Sequence, residues 1–64
     1  MTVVFILMVL TADMGWVILP VEGNPYSTAA LCQEAKAVLL EERITRLAGL
    51  EFSKAGCLKK EVLE

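Results

Sequence analysis

The chain opens on an uninterrupted apolar run, Val3 to Leu10 (VVFILMVL), rich in β-branched and large side chains and without a polar position to set a period. A run of this length and composition predicts a strand buried on both faces. Thr11-Ala12-Asp13-Met14-Gly15 interrupts it, and a second apolar run from Trp16 to Leu19 is closed by Pro20 and Val21. The layout predicts a β-hairpin over about 3–21 with a loop of about five residues, Asp13 and Gly15 supplying the turn chemistry. The competing reading takes residues 2–19 as one membrane-spanning helix, because eighteen residues holding one charge reach the lower end of the roughly 17 to 25 needed. Asp13 in the middle, Gly15, Pro20 and the lack of any Lys or Arg before Lys36 weigh against that helix. A signal peptide is disfavoured by the uncharged start and by Leu10-Thr11-Ala12, a poor cleavage match.

Glu22-Gly23-Asn24-Pro25 is a cluster of turn formers that reads as a linker, after which the pattern becomes helical. Ser27 is a good N-cap, and Tyr26 and Leu31 are placed for a hydrophobic staple. Ala29 to Ala48 holds no Gly or Pro, and Gly49 can end the helix in a left-handed conformation with Leu50 packed back on Ile44. A helix over about 28–48 is therefore predicted, with Ala30, Ala37, Leu40, Ile44, Leu47 and Ala48 on its core stripe and Glu42–Arg46 as a favourable pair. Leu31, Ala35, Val38 and Leu39, with Cys32 at the edge, form a second apolar group on the first half of the helix. From Leu50 the pattern alternates as in a strand, predicted over about 50–59.

Assembled, these elements give one α+β domain over 1–64, a small ββαβ unit. Its three-stranded antiparallel sheet has the order 2-1-3, with one long helix on one face. The most apolar strand then lies in the middle, where a strand covered on both sides belongs. One helix covers only one face, yet the hairpin carries large apolar side chains on both. Val4, Ile6, Met8, Leu10, Trp16 and Ile18 are the candidate interface, and a second copy of the chain is the first candidate partner. An unidentified host protein or a lipid surface would meet the same need.

Cys32 and Cys57 are the only cysteines. Cys32 lies about 26 Å back from the helix end at about 1.5 Å per residue, and Cys57 about 23 Å along the strand at about 3.3 Å per residue. If strand and helix run side by side, the two sulfurs reach the same level and a disulfide follows; two buried free thiols remain the alternative reading. Phe52 and Cys57 would face opposite ways on a regular strand, so the bridge requires a bulge, for which Gly56 is the natural place. A disulfide implies an oxidising compartment.

The totals narrow the function classes. A chain of 64 residues forms a small core and needs an added staple, a cross-link or a second copy. Lys and Arg number 6 against 8 Asp and Glu, a net charge of −2, which argues against gripping nucleic acid. With no histidine and two cysteines, neither a structural zinc site nor a histidine-based triad can be assembled, and the four glycines stand outside any phosphate-loop spacing. Asp13 and Glu22 sit beside turn glycines, where acids are ordinary, so no catalytic pair, cofactor or metal is expected. Tyr26 and Ser27 ahead of Cys32-Gln33-Glu34-Ala35, with Ala55-Gly56-Cys57-Leu58 in a closing strand, resemble short two-cysteine proteins of bacteriophages and prophages. That resemblance, over the whole length, implies a viral or accessory origin and carries no activity. A non-enzymatic, self-associating interaction domain is the expectation.

Overall fold

The computed structural model describes residues 2–63; Met1 and Glu64 of the expected 1–64 domain lie outside them. The elements are β1 (Thr2–Thr11), β2 (Gly15–Ile18), α1 (Ala29–Glu41), β3 (Arg46–Leu47) and β4 (Leu50–Val62). They form an antiparallel sheet in the order β2-β1-β4-β3, with the helix on one side. The α+β class and the inner position of the first strand agree with the sequence. The three-stranded ββαβ arrangement is corrected to four strands, because the stretch read as the end of the helix supplies β3.

Residues 2–11 and 15–18 are strands rather than one helix, so the membrane-helix alternative finds no support: the apolar run pairs with β2 on one edge and β4 on the other. Among the described residues, no helix is long and apolar enough to cross a membrane. Thr11 and Gly15 close the hairpin, whose loop is three residues rather than five. The Thr11 hydroxyl donates to the Gly15 carbonyl and accepts from the Met14 N–H, each at 3.0 Å, so its burial leaves nothing unpaired.

Alternation along β1 sends Leu7 and Val9 into the core under the helix and Val4, Ile6, Met8 and Leu10 to the other face. Beyond β2 the edge of β1 is completed by the segment read as a linker. The Leu19 N–H donates to the Leu7 carbonyl, and Phe5 and Tyr26 exchange two backbone hydrogen bonds of 2.8 and 2.7 Å. Between them the Asn24 amide stands in for a strand residue. Its Oδ1 accepts from the Leu7 N–H at 2.9 Å, while its Nδ2 donates to the Leu7 and Leu19 carbonyls at 3.0 and 2.6 Å.

The helix begins at Ala29, capped by the Thr28 hydroxyl, which accepts from the Leu31 N–H at 3.2 Å; Thr28 takes the place assigned to Ser27. The staple is corrected too, since Tyr26 is engaged with β1 and Leu31 is exposed. At the other end the helix stops at Glu41, well before 48. Arg43 is left-handed at φ 52°, the Ile44 N–H donates to the Leu39 carbonyl and the Arg43 N–H to the Leu40 carbonyl. These are the two hydrogen bonds of a Schellman motif, with Arg43 in the position usually given to glycine. The expected core stripe is corrected accordingly: Ala30, Ala37 and Leu40 are exposed, and Ile44, Leu47 and Ala48 are not helical. Cys32, Ala35 and Leu39, from the second apolar group, face the sheet.

Gly49 does serve a turn, but of another kind. Ala48 (φ 53°) and Gly49 (φ 79°) link the paired residues Leu47 and Leu50 as a two-residue hairpin with both φ positive, the type I′ geometry. Arg46 then pairs with Glu51, at 3.3 Å, and not with Glu42. Because a side chain at left-handed φ costs about 1 kcal/mol, Arg43→Gly is expected to stabilise the fold by about that amount, measurable as a higher urea midpoint at an unchanged slope.

Candidate interaction face

The strand that decides what lies on each face is β4. Lys54 is level with Leu10 while Phe52 is level with Thr11, so two steps on β4 match one on β1 and Ser53 is the extra residue of a bulge. The bulge required by the cysteine pair therefore exists, but at Ser53 rather than at Gly56. It turns Phe52 and Cys57 to the same side. Cys57, level with Leu7, is joined by a disulfide to the fully buried Cys32, the Cα atoms 6.2 Å apart. Helix and sheet are thus cross-linked over the middle of the core.

The same parity places Lys54, Gly56, Leu58 and Lys60 on the opposite, outer face. There they join all six residues proposed from the sequence: Val4, Ile6, Met8 and Leu10 from β1, and Trp16 and Ile18 from β2, level with Leu10 and Met8. No secondary-structure element among the described residues lies over this face. Trp16 is 50% exposed, Ile18 55% and Leu58 51%. Ile6, with Leu58 directly opposite, is 8% exposed, closed over by its neighbours in the sheet.

Trp16 spans the sheet. A methyl group placed on Gly56 would meet Cη2 and Cζ3 of its ring at 3.8 Å, an ordinary contact, so the indole crosses β1 to lie beside Gly56 on β4. Met8, Trp16, Gly56 and Leu58 line a shallow apolar hollow beside the ring. Glu51, next to the core residue Phe52, points to the outer side, where it borders an open concavity with Leu10 and Ala12. The charges on this face are therefore Arg46 and Glu51, paired, with Lys54 near them and Lys60 at the far end.

Leu58, Glu51, Lys54 and Lys60 lie outside the sequence-derived set, which comes from the hairpin alone; of the four, only Lys54 changes face because the bulge is at Ser53 rather than Gly56. Among the described residues, no three His, Cys, Asp or Glu side chains come together in a group able to hold a metal. Compared with known proteins, the chain finds no significant match to a family model, a curated protein or a solved structure.

Proposed function

We propose that the chain is a small, non-enzymatic binding domain whose working surface is the outer face of the sheet, and that its first partner is a second copy of itself. One observation carries this reading: a sheet with a helix on one side only presents Trp16, Ile18 and Leu58, each about half exposed, as one stripe on the other. Contiguous apolar patches larger than a few hundred Å² are uncommon on monomers unless something binds them. The molecule is a slab of 33 × 24 × 16 Å. A face of those dimensions is bounded at about 800 Å², which reaches the area each partner gives to a standard interface. Stacking two slabs supplies the missing layer at no cost in new structure. The disulfide suits an oxidising compartment.

Sedimentation velocity over a range of concentrations tests the reading. The oxidised chain is expected to shift from monomer to dimer in the micromolar range. Ile18→Lys, which sets a charge in the exposed stripe, is expected to weaken the association at least tenfold while leaving the urea midpoint of the monomer nearly unchanged. A wild-type chain that sediments as a monomer up to millimolar concentration overturns the proposal.

A further inference from the structure

The outer face carries a charge pattern that selects one way of stacking two copies, given the self-association proposed above. Measured along the sheet, Lys60 is level with Val4, Leu58 with Ile6, Gly56 with Met8 and Lys54 with Leu10, while Glu51 lies one step beyond the level of Thr11. Lys60 and Glu51 thus stand on the same strand, each four residue levels from Met8, about 13 Å on either side at about 3.3 Å per residue.

We infer that two copies stack outer face to outer face with their strands antiparallel, about a two-fold axis crossing the sheets at the level of Met8 and Gly56. Lys60 of each copy then meets Glu51 of the other. A two-fold interface repeats every contact, so the pair forms at both ends. Lys54 falls over the Leu58 level of the other copy, where its methylene stem packs and its ammonium reaches the rim. The Arg46 contact leaves Glu51 with acceptor capacity, because a carboxylate has about four lone-pair sites.

Two neighbouring arrangements place like charges together, and moving the axis instead to the level of Val9 sets Glu51 over Leu58 and leaves Lys60 without a partner. Moving the axis one residue level, to Leu7, sets Lys54 over Lys60 at both ends, and stacking with parallel strands brings each charge level with its own counterpart. Like-charge contacts of this kind suppress wrong registers more than correct pairs add affinity.

Charge reversal tests the register. Lys60→Glu and Glu51→Lys are each expected to raise the dimer dissociation constant about tenfold, since either change creates two repulsive contacts per dimer. An equimolar mixture of the two variants is expected to associate within about threefold of wild type, because each mixed pair has opposite charges at both ends. No intrachain effect of either substitution produces that recovery. If wild type dimerises and the mixture associates no better than the separate variants, the register is wrong while the self-association stands. If wild type does not dimerise, both fail.

Discussion

Replacing both cysteines, as in Cys32→Ser with Cys57→Ser, is expected to remove about 3.5 kcal/mol of stability, the chain-entropy value for a closed loop of 25 residues. A 64-residue domain has on the order of 3–10 kcal/mol in total, so this loss brings the fold to the edge of unfolding. The helix explains the dependence. It contributes only Cys32, Ala35 and Leu39 to the core cluster and leaves Leu31, Val38 and Leu40 substantially exposed, so hydrophobic burial alone holds it weakly. Urea unfolding of the oxidised chain and the double variant, followed by far-ultraviolet circular dichroism at low concentration, checks this. Coincident midpoints would show that the cross-link contributes nothing.

The second large effect is expected at Asn24, whose side chain fills the gap in the β1 edge between Leu19 and Tyr26. Asn24→Ala removes three hydrogen bonds and leaves the Leu7 N–H without its acceptor, at an expected cost of about 2 kcal/mol. Asn24→Asp keeps the shape but turns a carboxylate oxygen toward the Leu7 and Leu19 carbonyls, and a partly buried charge facing two acceptors is expected to cost about 3 kcal/mol or more. The near-isosteric change is thus the more damaging one. Urea midpoints give the order, and hydrogen exchange at the Leu7 amide locates the effect. An Asp variant as stable as wild type would mean that the amide does not hold the edge.

These two sites also mark the limits of what the sequence discloses. The apolar run and the hairpin follow from local composition and spacing. The cysteines do pair, but not by the level count, which takes the helix to 48 whereas it ends at Glu41 and β3 intervenes. The end of the helix does not follow. Ala29 to Ala48 carries no breaker, and termination at Arg43 depends on Ile44 packing into the core and on the Phe52 N–H donating to the Thr45 carbonyl across the β3–β4 hairpin. Gly49 is a true turn signal, but it joins β3 to β4 rather than ending the helix. Asn24 looked like any residue of a turn, since nothing local reveals that its amide will meet Leu7, 17 residues away. The outer face was legible for β1 and β2, where strict alternation governs. It was less legible for β4, where the bulge falls at Ser53 rather than Gly56 and so turns Lys54 outward and Ala55 to the core.

The central claim is that the outer face is covered by a second copy, and Trp16 reports on that face directly because it is the only tryptophan in the chain. Its acrylamide quenching, followed from low micromolar to millimolar protein, is expected to fall as the half-exposed ring becomes enclosed, with emission moving to shorter wavelength. Quenching and emission that stay constant over that range would leave the face bare and contradict the account.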